Sequence, residues 1–301
     1  MTMPIRMMLA ALALGCAAPS AAQEQGPAPL AVERTDGSTI HYYLERRPRG
    51  RQPLLLMLQG SGCDSVTRNA RLGWTAGLLA PRSAVLTIDK YGVAPGDEGE
   101  HCSPEFRRGN TLRQRVLDAL QVVAALRRER WWDGELILFG GSEGGAVAAM
   151  LGPLVPETRA VIIWSSGIGL PIGDMIRQAL PPPMQAEAER IFAEARANPT
   201  GERQWAGASY RWWADAIDLV PARSLAQTPA PVLLIHGTRD DSAVIASARA
   251  ARDLVVASGK TDFVYREYEG YDHFMVDPAG VDRRAEVAAA AASWLRSLPR
   301  R

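Results

Sequence analysis

The densest chemical signal in the chain is the run Gly140-Gly141-Ser142-Glu143-Gly144-Gly145. It follows an apolar segment at 136–139 that reads as a buried strand. It precedes Ala146-Val147-Ala148-Ala149-Met150, which reads as helix. A serine at so sharp a strand-to-helix turn sits in strained backbone, and the residues two positions either side must lack side chains to avoid collision. Gly140 and Gly144 meet that need. Such a turn exposes the Ser142 hydroxyl near a helix N-terminus, where free N–H groups and partial positive charge favour a developing anion. The plain alternative is a glycine-rich turn with an incidental serine. A phosphate-cradling loop is the other rival, but it lacks the Lys-Ser/Thr pair. Gly60-Ser61-Gly62 likewise lacks the third glycine of a dinucleotide fingerprint.

Serine is a poor nucleophile without a base. The chain offers four histidines, His41, His101, His236 and His273. The chain order that goes with a strand–turn–helix serine is serine, acid, histidine. That order selects His273, in Glu269-Gly270-Tyr271-Asp272-His273-Phe274, after a strand-like segment at 263–268. Loops at the C-terminal ends of strands are where an α/β sheet presents its site. The acid is read from Leu233-Leu234-Ile235-His236-Gly237-Thr238-Arg239-Asp240-Asp241. An aspartate there can orient the imidazole and stabilise its cation. Asp240 is the choice, with its neighbour Asp241 as the alternative. Asp272 lies too close to His273 in sequence, and His236 is assigned a structural role. Acyl transfer also needs donors for the oxyanion. The backbone N–H of Glu143 is one. The other comes from Gln59-Gly60-Ser61-Gly62-Cys63, with the Ser61 amide preferred and Gly62 second. This chemistry requires no cofactor and no metal.

The elements that must position these groups are legible in outline. Segments 29–33 and 38–45 flank Asp36-Gly37, a hairpin signal. The basic cluster at 46–51 reads as a solvated loop. Continuous apolar runs follow at 54–58, 84–88, 136–139, 160–164 and 232–235. Uninterrupted runs suit strands covered on both faces. Between and after them, 111–128, 145–151, 242–257 and 284–298 read as helices. Alternating strands and helices imply a mostly parallel, doubly wound sheet. One stretch, 167–227, breaks the alternation. It contains Pro181-Pro182-Pro183, a helical segment at 184–197 and the aromatics Trp205, Tyr210, Trp212 and Trp213. A structureless loop of that size is improbable, so an inserted helical cap is expected.

The N-terminus reads as an address. Residues 1–22 carry one charge, Arg6, then an apolar run and the small residues Ser20-Ala21-Ala22 that a signal peptidase recognises. The run is too short to span a bilayer of roughly 30 Å. Lipidation at Cys16 is the alternative. The expected product is periplasmic or secreted, with one folded domain over 23–301 and no stable membrane span. Removal of Cys16 leaves Cys63 and Cys102, an even count that favours a disulfide in an exported protein. If the strands at 54–58 and 84–88 are neighbours, both cysteine loops emerge on one side of the sheet. A bond would then brace the oxyanion loop.

Composition excludes some partners. The 301 residues include 34 Lys plus Arg and 33 Asp plus Glu, for a formal charge of +1. Loss of Arg6 brings this to zero. No nucleic-acid partner is implied, and substrate selection falls to pocket shape rather than long-range steering.

The set Gly140-Gly141-Ser142-Glu143-Gly144-Gly145, His236-Gly237-Thr238-Arg239-Asp240 and Gly270-Tyr271-Asp272-His273 resembles the α/β-hydrolase superfamily. The Gly144-Gly145 pair and the His-Gly-x-x-Asp stretch look most like its dienelactone-hydrolase, serine-aminopeptidase and prolyl-oligopeptidase-like branches. The resemblance implies an eight-stranded, mostly parallel sheet with helices on both faces and a cap inserted after the sixth strand, where 167–227 falls. Gln59 stands where many relatives have histidine, which bears on substrate preference rather than chemistry. The resemblance implies a covalent mechanism acting on a small-molecule ester. A short peptide is the alternative substrate, since Glu143 could pair with a substrate amine or else face solvent. A non-hydrolytic binder or acyltransferase is the third reading.

Overall fold

The computed structural model describes residues 27–48 and 50–299. The expected signal segment and Cys16 lie outside the described residues. In chain order the strands are β1 (Leu30–Glu33), β2 (Thr39–Glu45), β3 (Gln52–Leu58), β4 (Ala84–Ile88), β5 (Trp132–Gly141), β6 (Thr158–Trp164), β7 (Gln204–Trp205), β8 (Ala208–Ser209), β9 (Val232–Gly237) and β10 (Phe263–Tyr268). The helices are α1 (Ala70–Leu79), α2 (Pro104–Gly109), α3 (Leu112–Leu126), α4 (Glu143–Leu151), α5 (Ile172–Ala179), α6 (Pro182–Ala197), α7 (Tyr210–Ala216), α8 (Ala222–Ala226), α9 (Ile245–Ala257) and α10 (Arg284–Ser297).

Eight strands form one sheet in the order β1-β2-β4-β3-β5-β6-β9-β10. The first two are antiparallel, and every pair from β4 to β10 is parallel. The apolar runs are continuous because both faces are covered. Leu54, Leu56, Leu136, Leu138, Val161 and Ile163 pack toward α3 and α4. Their alternates Leu55, Met57, Ile137 and Ile162 pack toward α1 and α10. This is the α/β-hydrolase arrangement expected from the resemblance. Among the described residues, no helix is long and apolar enough to cross a membrane.

Several boundaries differ from the sequence expectation for physical reasons. β5 extends back to Trp132, because Trp132 pairs with Gln52 across a register shift while Asp133 and Glu135 interrupt the apolar pattern. Helix α9 starts at Ile245 rather than 242. The amides of Ser242 and Ala243 bond instead to the Asp240 carboxylate. Helix α1 was hidden by Gly73 and Gly77, which lower helix propensity without preventing burial of Leu72, Ala76 and Leu79. Between β6 and β9 the chain forms α5 to α8 and the β7–β8 ribbon. Its aromatics pack on one another, with the Trp205 and Trp213 rings 5.3 Å apart and Phe192 5.1 Å from Trp213.

Candidate active site

Ser142 joins β5 to α4 in the left-handed region, at φ 52° and ψ −128°. For a non-glycine residue such backbone costs on the order of 1–3 kcal/mol and persists only where surroundings enforce it. Here the Ser142 amide donates to the Trp164 carbonyl of neighbouring β6 at 3.0 Å. The adjacent glycines permit the turn. A Cβ at Gly140 would lie 2.1 Å from the Gly144 carbonyl oxygen, and one at Gly144 would lie 2.0 Å from that of Leu58. Glu143 is the first residue of α4, so its amide has no intrahelical acceptor.

β9 and β10 are parallel neighbours, so the loops after them emerge at one end of the sheet. They bring Asp240 and His273 together. His273 Nδ1 lies 2.8 Å from Asp240 Oδ2 and 3.0 Å from Oδ1. The Asp240 side chain is fully buried. Its Oδ1 also accepts from the Ser242 amide at 2.9 Å and the Ala243 amide at 2.8 Å. Asp241, the alternative, is exposed. Asp272 accepts from the amides of Phe274 and Val276 and shapes the histidine loop.

The other histidines are placed differently. His101 is exposed beside Cys102, and His41 lies in β2. His236 is fully buried, and burial pushes its pKa down, which keeps the ring neutral. Its Nε2 lies 2.6 Å from the Ala243 carbonyl and 3.3 Å from Asp240 Oδ2. His236 therefore touches the same carboxylate as His273, a contact that the sequence reading did not foresee.

The loop after β3 runs against the Ser142 turn. A Cβ on Gly60 would sit 3.4 Å from Ser142 Cβ and 3.9 Å from its hydroxyl. Ser61 lines both clefts that flank Ser142, and Gly62 lines one of them. Cys63, in the loop after β3, is bonded to Cys102, in the loop between the neighbouring strand β4 and α2, with Cα atoms 5.5 Å apart.

Glu143 neither faces solvent nor waits free for a substrate amine. Its carboxylate pairs with Arg115 of α3 at 2.6 Å, with both side chains largely buried. The second arm of Arg115 donates to the Gln59 carbonyl at 2.5 Å. Lys90, just past β4, donates to the Gly62 carbonyl at 2.5 Å. Burial, and then repulsion from Arg115, pull the Lys90 pKa down to about 7. The sequence reading missed both cations. The only local signal was the charged pair Asp89-Lys90 at the end of a buried strand.

Two clefts meet at Ser142. One, about 380 Å³, lies toward the β6–β9 insertion and is walled by Ile172, Met175, Ile176, Trp212 and Trp213. The other, about 320 Å³, contains His273, Phe274, Trp164 and Arg71. Ser142 belongs to both. Trp212 and Trp213 thus line a pocket while also packing on each other at 4.9 Å, whereas Tyr210 is turned to Glu194. The left-handed residues Ser165 and Ala206 also line these clefts, and left-handed Met275 follows His273-Phe274. Among the described residues, no group of three or more His, Cys, Asp or Glu is arranged to hold a metal ion.

Residues 99–298 match the prolyl oligopeptidase family. No curated protein matches the chain. Among solved structures, Est1E from Butyrivibrio proteoclasticus is 16 % identical with a TM-score of 0.64, over 89 % of this chain and 97 % of that one. An esterase from Exiguobacterium antarcticum is 16 % identical with a TM-score of 0.60, over 91 % and 100 %. Dipeptidyl peptidase 4 from Porphyromonas gingivalis is 13 % identical with a TM-score of 0.62, over 90 % of this chain but 35 % of its own. At these identities the likeness is one of fold.

Proposed function

This chain belongs to the prolyl oligopeptidase family of α/β-hydrolases, and on that premise we propose that it is an exported serine hydrolase that cleaves a carboxylic ester through Ser142, His273 and Asp240. The observation that carries this reading is the Asp240–His273 hydrogen bond at 2.8 Å, beside a left-handed serine that lines the same cleft as His273. The Cys63–Cys102 bond supports export, since disulfides persist in oxidising compartments.

In this mechanism Ser142 Oγ attacks the ester carbonyl as its proton passes to His273 Nε2. Asp240 accepts the Nδ1–H and stabilises the imidazolium. The amides of Glu143 and Ser61 bind the oxyanion. Collapse breaks the carbonyl–alkoxy bond, and His273 gives its proton to the departing alcohol. Water then loses a proton to His273 and attacks the acyl-enzyme. Acid is released and Ser142 is restored. The cleft under the insertion suits the apolar part of the substrate, because its walls are aliphatic and indole side chains.

Peptide-bond cleavage is the second reading, favoured by the family match itself. The Arg115–Glu143 ion pair weighs against the aminopeptidase form, because it neutralises the carboxylate best placed to bind a substrate amine. A matched pair of substrates, a p-nitrophenyl ester and a p-nitroanilide with the same acyl group, separates the two. Since the ester is intrinsically the more reactive, the deciding readout is the anilide, which is expected to show no turnover above that of Ser142→Ala. An anilide turned over well above that level, and faster still with a free α-amine, would overturn the ester assignment.

A further inference from the structure

We propose that Lys90 and Arg115 are positioning residues that grip the loop 59–63 from beneath and hold its amides where the oxyanion forms. This rests on the reading of Ser142 as nucleophile and of the loop as a donor. The carbonyls of Gln59 and Gly62 bracket Gly60 and Ser61. Each is pinned by a buried basic side chain, Gln59 by Arg115 Nη2 at 2.5 Å and Gly62 by Lys90 Nζ at 2.5 Å. Peptide units are planar, so holding those two carbonyls fixes the 59–60 and 62–63 peptide planes, and the Ser61 amide is suspended in the short span between these two anchored ends. Cys63 is tied at the next position by its bond to Cys102. The Gln59 side chain is held in turn by Asp64 Oδ2 at 2.6 Å.

Arg115 joins the two halves of the hole. While one arm holds Gln59, Nη1 holds the Glu143 carboxylate at 2.6 Å, on the residue whose amide would be the other donor. One guanidinium therefore sets the spacing between the nucleophile turn and the loop. The planar fork suits this task and a point charge does not.

The arrangement is costly in a way that a passive contact is not. Lys90 is 3 % exposed and Arg115 6 %. Asp89, beside Lys90, directs its carboxylate elsewhere, to Tyr43, Ser65 and the Val66 amide. Lys90 therefore makes its hydrogen bond to a carbonyl rather than a carboxylate, in a region shared with Arg115, Glu143, Asp64 and Asp89. A buried ammonium without a close anion is strongly disfavoured, and a neutral donor would anchor a loop more cheaply. Charge-assisted hydrogen bonds are roughly twice as strong as neutral ones, and Arg115 supplies one throughout while Lys90 supplies one below about pH 7. Firm preorganisation of oxyanion donors is where such strength matters, because removing one donor costs about 10²–10³ in kcat.

The test compares Lys90→Met, Lys90→Gln, Arg115→Lys and Ser142→Ala with the wild type on one p-nitrophenyl ester. It adds the inhibition constant of a trifluoromethyl ketone, which forms an oxyanion when the serine adds to it, and a thermal melt to verify folding. For folded Lys90 and Arg115 variants, kcat is expected to fall about 10- to 100-fold with KM within about 3-fold, and ketone affinity to fall in parallel. A purely structural role would lower the melting temperature without that parallel loss. If Ser142→Ala is inactive but the folded variants keep full kcat and ketone affinity, the grip is wrong and the nucleophile assignment stands. If Ser142→Ala keeps its activity, both fail. Lys90→Gln keeps a neutral donor and is expected to fall between wild type and Lys90→Met.

Discussion

The turn at Ser142 and the loop 59–63 face each other across the site, and they are held by different means. The turn is fixed by its own neighbours in sequence: glycines two positions either side, and a serine amide bonded to the adjacent strand. The loop is fixed from far along the chain. Lys90 lies 28 residues away from the carbonyl it holds, Arg115 lies 56 away, and Cys102 lies 39 from its partner. Steric exclusion makes the first rigid. Charge and a covalent bond make the second rigid. A local device either fits or fails, whereas a distributed one can be loosened by degrees.

Glycine substitutions give the largest contrast. In Gly144→Ala the new Cβ would lie 2.0 Å from the Leu58 carbonyl oxygen, a backbone atom that cannot step aside without parting α4 from β3. A loss above about 4 kcal/mol is expected, seen as failure to recover soluble folded protein. Gly60→Ala faces the same site from the other side, with its nearest contact at 3.4 Å, on Ser142 Cβ. That variant is expected to fold with a near-native melting temperature and to lose activity, because the methyl takes up space beside the Ser142 hydroxyl that a substrate would need. Equal stability of the two variants would erase the distinction between turn and loop.

Removing the disulfide is the next largest effect. Closing a loop of 39 residues restrains the unfolded chain by about 4 kcal/mol in the chain-entropy model. Cys63→Ser with Cys102→Ser is expected to lower stability by up to that amount in denaturant melts. It should lower kcat further than any comparably destabilising substitution in α10. Activity tracking stability alone would show that the bond braces the fold but not the loop.

The smallest effect is a pH dependence. Lys90 has a folded pKa of about 7 against an ordinary 10.5, so between those values the unfolded state binds the extra proton. Stability contributed through this group therefore rises as pH climbs from about 7 toward 10.5, and is flat below 7. The difference in stability between wild type and Lys90→Met, followed by urea melts from pH 6 to pH 9.5, is expected to move in favour of the wild type as pH rises. A difference independent of pH would show that Lys90 titrates normally.

The same contrast decides what the sequence made legible. The strand at 84–88 was readable to the residue, because a continuous apolar run bounded by polar loops has few other meanings, and the mixed segment at 263–268 also coincides with its strand. Ser142 stood out because its spacing to Gly140 and Gly144 is a steric signature confined to a few positions. Asp240 and His273 were readable as candidates from chain order, and the structure brings them within 2.8 Å. Arg115 was not readable. On the sequence it is one polar residue within the amphipathic pattern of α3, and its burial depends on where the loop after β3 lies. Lys90 was hidden for the same reason, and the contact of His236 with Asp240 depends on how the chain turns after β9. Sequence reports what neighbours enforce. It is nearly silent on pairs brought together only by the sheet order.

The central claim is that Ser142 is the nucleophile that carries the acyl group. It is tested most directly by mixing enzyme with a slowly deacylating p-nitrophenyl ester, quenching in acid and locating the added mass by peptide sequencing in the mass spectrometer. The account predicts one acyl group per chain, on Ser142, preceded by a stoichiometric burst of nitrophenol and absent from Ser142→Ala. Turnover with no acyl group on Ser142, or the same acylation in Ser142→Ala, would contradict it.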